Sequence, residues 1–274
     1  EDDDDNDDDN DGVYDTDEPY IYGDILLGSG ADSVDIQNGI VYGDISFGDG
    51  QDSLSISGGG YYLGALSDSD GLLDISVIDG VLQGLQSDTL NLTSLTVGEN
   101  GEIFFTVDPS QDLVGDYLVS GAASFADGST ISLHLDSLVS DEGQTLRLVT
   151  AGSLSYGDVQ GSDLTGSSPY MIVTDFTADE AAGTIDVNLR KRTSEEMSLS
   201  GVETAAYQAF YSALGLDEDV MDAFLDQTTR EDFMNLYEQT LPDHSGGTLM
   251  SLASGIDAVT QALASRNNAA AQGE

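Results

Sequence analysis

Four aspartates recur in two pairs at a spacing of 20 residues: Asp24 with Asp44, and Asp32 with Asp52. If the chain stacks on itself with that period, the carboxylates of each pair lie one strand spacing apart, about 4.8 Å. Like charges this close are unfavourable unless they are screened or bridged. A hard cation with oxygen ligands would relieve the repulsion, and calcium has this preference. The four aspartates are therefore candidate metal ligands, and calcium is the one cofactor that the sequence suggests.

Two of these aspartates lie in a short motif, G-x-G-x-D-x-U, in which U is an apolar residue. The motif occurs at residues 28–34 (GSGADSV) and 48–54 (GDGQDSL). It is similar to most of the calcium-binding nonapeptide of RTX-type β-rolls. Leu27 and Phe47 replace the first glycine of that nonapeptide, and its nine-residue period is missing. The alternative is that these Asp and Gly residues only form solvated turns, and both interpretations stay open.

Signals for catalysis are weak. Acidic pairs suited to glycoside hydrolysis carry no specificity in a chain with 52 Asp and Glu residues. The two histidines, His134 and His244, are far apart in the sequence and belong to no metal or triad motif. Cysteine is absent, which excludes thiolate chemistry and a disulfide framework. We therefore predict that the protein is not an enzyme, and a polysaccharide-active enzyme is an alternative that depends on fold analogy alone.

The charge of the chain restricts its partners. With six Lys and Arg residues and a formal net charge of −46, it lacks the basic surface that nucleic acids require. The apolar fraction of 39% is sufficient for a folded core. No signal peptide and no apolar run of about 18 residues occurs in the sequence. We expect a mature fragment of an exported protein rather than a cytosolic one.

The aspartates belong to a repeated unit, because residues 22–36 recur as residues 42–56. A period of this size marks a supersecondary unit that stacks on copies of itself. Apolar residues alternate within each unit, as in a strand with one buried face. Examples are Ile25 with Leu27 and Ile45 with Phe47. The pattern predicts a mainly β protein, a parallel β-helix with about 20 residues per coil, over residues 20–190.

Further strands are predicted along this region, separated by turn formers rich in Gly, Asp and Pro. Tyr22, Tyr42 and Tyr62 share the 20-residue spacing and are expected to stack as a ladder. The downstream strands are predicted at residues 72–77, 90–92, 94–97, 103–107, 117–119, 129–135, 144–149, 171–174 and 185–189.

The two ends of the chain differ from the repeat. Residues 1–19 are strongly acidic and are predicted to be a disordered tail, as are residues 267–274. Residues 191–266 have helical periodicity. Ser200 and Glu203 form a capping-box pattern, and Asp217 and Thr228 are the predicted N-caps of two further helices.

A last helix is predicted at residues 249–264, with one narrow apolar seam and small residues elsewhere. We expect it to dock on the preceding helices through an apolar face that contains Phe224, Phe233 and Leu236, because short connections favour neighbours. Together the helices form a small α-helical segment that follows the β-helix.

These features together resemble an autotransporter of the type V secretion pathway of Gram-negative bacteria, over roughly residues 20–266. The Gly- and Asp-rich repeats look like a passenger β-helix, and residues 94–101 (SLTVGENG) are similar to a passenger segment. Residues 143–152 (GQTLRLVTAG) look like the coil near the C-terminal end of a passenger. Residues 241–247 (LPDHSGG) resemble the junction before the membrane barrel. The sequence departs from the family at Glu274, where the translocator barrel should begin.

The resemblance implies a function, a location and a partner. The chain would be a non-catalytic, surface-exposed passenger fragment that acts as a stalk or scaffold at the outer membrane, and its last coils would fold first and template the rest. Residues 191–266 would be the linker before the protein's own translocator β-barrel. Self-association or a cell-surface partner is compatible with this function. A calcium-binding extracellular repeat protein is the alternative, and a polysaccharide-active β-helix enzyme is the second alternative.

Overall fold

The computed structural model describes residues 19–157 and 167–241. The protein is mainly β, with a large, mostly parallel sheet followed by helices. The strands are β1 (Tyr20–Tyr22), β2 (Ile25–Leu26), β3 (Ser33–Gln37), β4 (Ile40–Tyr42), β5 (Ile45–Phe47), β6 (Asp52–Ser57), β7 (Gly60–Gly64), β8 (Leu66–Asp68), β9 (Leu73–Gly84), β10 (Leu90–Asp108), β11 (Leu113–Val114), β12 (Tyr117–Phe125), β13 (Thr130–Leu135), β14 (Gln144–Ser155), β15 (Ile172–Asp179) and β16 (Thr184–Lys191). The helices are α1 (Gly201–Leu214), α2 (Glu218–Leu225) and α3 (Arg230–Thr240).

The predicted 20-residue repeat appears in the structure as the sequence separation between paired residues of neighbouring strands. One 13-stranded sheet contains the path β1, β4, β7, β9, β10, β12 and β14, in which each strand is parallel to the next. A second sheet joins β2, β5 and β8, also in parallel. At the start of the chain the register pairs identical residues: Tyr22 with Tyr42, Ile25 with Ile45, Ser33 with Ser53, and Ile36 with Ile56.

Alternation along the strands separates a core face from a solvent face. In β5 and β6 the side chains of Ile45, Phe47, Leu54 and Ile56 are buried, and the residues between them are partly exposed. Burial of one such side chain contributes about 1.5–3 kcal/mol, which the loss of conformational entropy largely offsets. One repeat therefore depends on its neighbours for stability.

The predicted tyrosine ladder is wrong at its third member. Tyr22 pairs with Tyr42, but Tyr42 pairs with Leu63, and Tyr62 pairs with Val41. The connection before β7 carries one additional residue, so the separation of paired residues rises from 20 to 21. Because side chains alternate between the faces of a strand, a shift of one position turns Tyr62 into the core, where it is fully buried.

The repeat lengthens downstream, which explains why it is hard to follow in the sequence. Ile75 pairs with Leu95, 20 positions on, whereas Leu95 pairs with Ala123 and Ile103 with Ile131. The longer strands β9, β10, β12 and β13 remain parallel while their connections grow, and the two-residue strand β11 is antiparallel to β10.

The prediction that parallel coils continue to residue 190 is wrong for the last two strands. β15 and β16 form an antiparallel hairpin, and β16 is also antiparallel to β14. Only four residues separate β15 from β16, and Gly183 has a positive φ of 71° there. A connection this short permits a hairpin, whereas parallel neighbours need a crossover of a dozen or more residues.

Local capping signals place the three helices. The Glu203 carboxylate accepts a hydrogen bond from the Ser200 N–H (2.9 Å), as the capping box predicts, and Asp217 caps α2 by accepting from the Val220 N–H (3.3 Å). For α3 the predicted cap is wrong by one position. Thr229, not Thr228, is the N-cap and accepts from the Asp232 N–H (3.2 Å).

An aromatic cluster holds the helices together, with ring centroids of neighbouring side chains 4.7–5.8 Å apart. Its members are Tyr170, Phe210, Phe224, Phe233 and Tyr237. Phe224 and Phe233, which we expected to receive a further helix, thus contact aromatic side chains from other described elements. The further helix itself, residues 249–264, lies outside the described residues, as do His244, residues 1–18 and residues 267–274.

Positive charges join the helices to the sheet. Lys191 contacts the Asp141 carboxylate and lies over the Tyr211 ring, 4.7 Å from its centroid. The Arg192 guanidinium donates to the Tyr170 carbonyl (2.6 Å), and Arg230 donates to the Met197 carbonyl (3.2 Å). Among these cations, Lys191 thus joins β16 to α1, and Arg230 joins α3 to the turn that precedes α1. No described helix is both long enough and apolar enough to span a membrane.

Candidate functional site

Two of the four predicted calcium ligands lie on the surface of the repeat. Asp24 and Asp44 are exposed. The Asp24 carboxylate accepts a hydrogen bond from the Asp44 N–H (3.0 Å), and the Asp44 carboxylate accepts from the Ala65 N–H (2.8 Å). Each carboxylate therefore joins its own repeat to the next, which is a structural use of the side chain. Calcium binding by this pair stays a prediction.

The other two predicted ligands lie at an inner corner. Asp32 is half-buried, and Asp52, the first residue of β6, is only 1% exposed. Asp52 Oδ1 accepts from the Asp32 N–H (2.8 Å). The second carboxylate oxygen of each residue has no hydrogen-bond partner and is inaccessible to solvent. The structure thus brings Asp32 and Asp52 together, and one carboxylate oxygen of each is buried without a hydrogen bond.

A third acidic residue, Asp68, belongs to the same corner and was missed by the sequence analysis. It pairs with Phe47, whose side chain is in the core, so Asp68 occupies an inward position. Both of its carboxylate oxygens are buried without a hydrogen-bond partner. Burial raises the pKa of Asp68; the backbone N–H groups of Gly71 and Leu72 oppose the rise, and the nearby Asp70 and Asp52 carboxylates add to it.

A signal in the sequence points to Asp68. The inward position holds Phe47 in one repeat, and the aligned position in the next repeat holds an aspartate where an apolar residue is expected. Within residues 19–157 and 167–241, no group of three or more His, Asp or Glu side chains is arranged to hold a metal ion. Asp52 and Asp68, whose buried oxygens lack well-formed hydrogen bonds, are therefore considered below as a pair.

An acidic cleft of about 550 Å³ lies between the sheet and α2. Its walls come from the end of β10, from β13 and from α2, so residues far apart in sequence meet there. The acidic and imidazole groups in its lining are Asp108, His134, Asp136, Glu218, Asp222 and Asp226. The sequence analysis assigned no role to these carboxylates, because acidic residues are abundant everywhere in the chain.

The pKa values of Asp108 and Asp136 are shifted in opposite directions within this cleft. Desolvation raises the pKa of Asp108, but hydrogen bonds from Ser137, Ser110 and Gln111 outweigh it and lower this pKa to about 2. Burial raises the pKa of Asp136, against the lowering effect of His134, whose Nε2 is 3.3 Å from Asp136 Oδ1. Two carboxyl groups in one cleft whose pKa values are moved apart are candidates for an acid and base pair.

The exposed tyrosines form a short stack on one side of the repeat. The rings of Tyr22 and Tyr42 are nearly parallel with centroids 4.9 Å apart, and the Tyr61 ring contacts Tyr42 at 6.1 Å but is tilted by 54°. The predicted ladder is therefore a stack of two rings, because Leu63 and not a tyrosine pairs with Tyr42. Ring stacking of this kind adds about 0.5–1.5 kcal/mol per pair, so a structural role accounts for these residues.

No protein-family model, curated protein or solved structure matches the chain.

Proposed function

We propose that the chain is a non-catalytic, surface-exposed passenger fragment of an autotransporter, built as a parallel β-helix that acts as a stalk or scaffold. The observation that carries the proposal is the parallel ladder in which residues of one repeat pair with identical residues 20 positions later. Stacked repeats of this kind give an elongated body in which each unit contacts only its neighbours.

The chemistry of the surface agrees with a scaffold. Two exposed aspartates of the repeat, Asp24 and Asp44, accept backbone hydrogen bonds from the next repeat. A net charge of −46 keeps such a body soluble and separates it from acidic surfaces. The resemblance of residues 94–101 and 143–152 to passenger segments supports a location at the outer surface of a Gram-negative cell.

The C-terminal end fits a role as folding template. The hairpin of β15 and β16 stops the parallel stack, and α1–α3 pack at this end through aromatic and cationic contacts. A closed end protects the last sheet edge from other chains. The strands that fold first at this end then give the coils N-terminal to them a surface on which to add. The implied partner is the protein's own translocator β-barrel.

Export of the full chain ahead of an autotransporter barrel in a Gram-negative host tests this function. We expect the chain to reach the cell surface, where added protease and antibody have access to it. The matched variant Tyr237→Asp, which places a charge inside the aromatic cluster, should reduce the exported amount. Retention of the unchanged chain in the periplasm would contradict the proposal.

The acidic cleft supports a second candidate function, a polysaccharide-active enzyme. Its support is the contrast between Asp108, whose pKa is lowered to about 2, and Asp136, whose pKa is raised. In this function Asp108 is the ionised carboxylate and Asp136 the proton donor. Release of reducing ends from a panel of acidic and neutral polysaccharides is the assay. Activity that Asp136→Asn removes and that Asp219→Asn, on the same helix as the cleft residues of α2, leaves intact would favour the enzyme over the scaffold.

A further inference from the structure

The inner corner formed by Asp52 and Asp68 contains buried carboxylate oxygens with little compensation from protein groups. Asp52 is 1% exposed, and its Oδ2 atom has neither solvent contact nor a hydrogen-bond partner. Both carboxylate oxygens of Asp68 are also inaccessible to solvent and accept no well-formed hydrogen bond; the Gly71 and Leu72 N–H groups lower its pKa, but burial outweighs them. An ionised carboxylate in such surroundings is strongly unfavourable unless it is paired or binds a cation.

The register places the two carboxylates in inward positions of successive repeats. Asp68 pairs with Phe47 at the end of β5, and Asp52 pairs with Leu73 at the start of β9. Phe47 and Leu73 are both buried, so each aspartate occupies a position that is apolar in the adjacent repeat. The two acidic side chains therefore come from successive repeats and enter the same corner of the core.

We propose that the Asp52 and Asp68 carboxylates bind one calcium ion inside this corner. Two carboxylates neutralise a divalent cation, and calcium accepts irregular sets of oxygen ligands, which carbonyl groups and water complete. Magnesium fits less well, because it demands near-octahedral geometry and keeps several waters. The site differs from the surface pair Asp24 and Asp44, whose outward oxygens accept backbone hydrogen bonds.

The electrostatics of the corner agree with a bound cation. The Gly50 N–H donates to the Asp70 carboxylate (3.0 Å) and the Ser69 hydroxyl donates to the Asp49 carboxylate (2.6 Å), so the turn before Asp52 lies against the turn after Asp68. The Asp52 carboxylate also raises the pKa of Asp68, though less than burial and the Asp70 carboxylate do. Cations that could neutralise them are distant in the chain, since the first Lys or Arg residue of the sequence is Arg147. No described salt bridge involves Asp52 or Asp68.

Thermal unfolding of the full chain after treatment with a chelator tests the site. We expect calcium at one hundred times its Kd to raise the Tm by about 5 °C, because it binds only the folded state. Magnesium, or sodium chloride at matched ionic strength, should give a much smaller shift. Isothermal titration should show one calcium ion that depends on this pair of side chains.

Three variants assign the effect to residues. Asp68→Leu copies the apolar character of Phe47 at the paired position, and it should be more stable than the unchanged chain without calcium and should not respond to calcium. Asp52→Asn keeps an acceptor for the Asp32 N–H and should also lose the response, so the test stands even if Asp68→Leu does not fold. Asp49→Asn, an exposed aspartate of the neighbouring turn that accepts from the Ser69 hydroxyl (2.6 Å), should keep it.

Several results would overturn the proposal. A calcium response that persists in both Asp68→Leu and Asp52→Asn, or that Asp49→Asn reduces equally, would mean general screening of the acidic surface. Equal effects of magnesium and calcium would exclude a calcium site. Stabilisation on acidification without any effect of calcium would mean that the two carboxylates share a proton instead.

Discussion

Two adjacent tyrosines of β7 face opposite sides of the sheet: Tyr62 points into the core, and Tyr61 lies on the outer face. Tyr62 is fully buried, and its hydroxyl donates to the Ala65 carbonyl (3.0 Å). Tyr61 lies on the outer face, where its hydroxyl donates to Gln83 Oε1 (2.6 Å) and its ring makes a tilted contact with Tyr42. Burial raises the pKa of Tyr62 well above its usual range, so this hydroxyl stays neutral and remains a donor.

Alanine substitutions at these two positions should therefore have very different costs. Tyr62→Ala removes a large core side chain and should lower the free energy of unfolding by about 3–5 kcal/mol. Tyr61→Ala should cost about 1 kcal/mol, because only one ring contact and one partly buried hydrogen bond are lost. Urea unfolding of both variants measures the difference. Equal costs, or a larger cost for Tyr61, would show that the register at β7 is wrong.

Glycine at position 48 is required by the close approach of the next repeat. A Cβ atom there would lie 1.7 Å from the Gly28 carbonyl oxygen, whereas a Cβ atom on Gly28 would meet nothing within 4 Å. The two residues occupy the same place in the motif, so they form a matched pair. Gly48→Ala should lower the free energy of unfolding by about 1–3 kcal/mol because the repeats must separate.

Gly28→Ala serves as the control for this steric effect. Its cost should lie within about 0.5 kcal/mol of zero, because its position is open. Chemical denaturation of both variants gives the comparison. If Gly28→Ala is as damaging as Gly48→Ala, then the glycine is needed for its backbone conformation and not for contact between repeats.

At the scale of elements, the loop after β10 is held by one carboxylate. Asp108 accepts hydrogen bonds from the Ser110 N–H (3.0 Å) and from the hydroxyls of Ser110 (2.8 Å) and Ser137 (2.6 Å). These contacts join β10 to the segment after β13. They favour the ionised form, which is why the pKa of Asp108 falls to about 2 despite desolvation.

The contribution of Asp108 should depend on pH with a defined sign. Its pKa is about 2 in the folded chain and about 3.9 when unfolded. The stabilisation is therefore complete above about pH 4 and is lost as the pH falls through about 2. Asp108→Asn should be less stable than the unchanged chain at pH 6, and the difference should vanish near pH 2.

Unfolding free energies at a series of pH values test this expectation. Asp112→Asn, in the same loop, is the control, because Asp112 takes no part in the hydrogen bonds of the Asp108 carboxylate. A difference for Asp108→Asn that stays constant from pH 6 to pH 2 would mean that the loop is held by shape rather than by the ionised carboxylate.

At the scale of the whole molecule, the two ends of the sheet are not equivalent. The N-terminal end exposes Tyr20, Tyr22 and Leu26, with 68%, 73% and 79% of their surface accessible. The C-terminal end is held by helix α1, through hydrogen bonds from the Tyr211 hydroxyl to the Val139 carbonyl (2.8 Å) and from the Tyr207 hydroxyl to the Arg192 carbonyl (2.9 Å). Unfolding should therefore begin at the open end.

Truncation should show this asymmetry. Deletion of residues 1–60 removes whole repeats from the open end and should leave a protease-resistant core, because stacked repeats contact only their neighbours. Deletion of residues 201–241 removes the helices and should destroy the resistance, since it uncovers Val139 and the last strands. Limited proteolysis with mass spectrometry measures both. Equal loss of protection from the two deletions would contradict the assignment of the C-terminal end as the stable one.

The sequence by itself determined the local features of the fold. Identical residues 20 positions apart predicted the parallel pairing of the first two repeats, and period-two alternation predicted which side chains are buried. Capping residues fixed the starts of α1 and α2, because a cap depends on residues a few positions away. The four aspartates of the repeat were found from spacing alone, since spacing determines which residues stack.

Only the tertiary structure decided the remaining features, and each of them depends on contacts between distant residues. One additional residue in a turn moved Tyr62 into the core, and a four-residue connection turned β15 and β16 into a hairpin. The burial of Asp68 follows from its register with Phe47, and the cleft of Asp108 and Asp136 follows from the packing of α2 on the sheet. Strand register and helix packing are set by the whole core, so a local pattern in an acidic sequence cannot specify them.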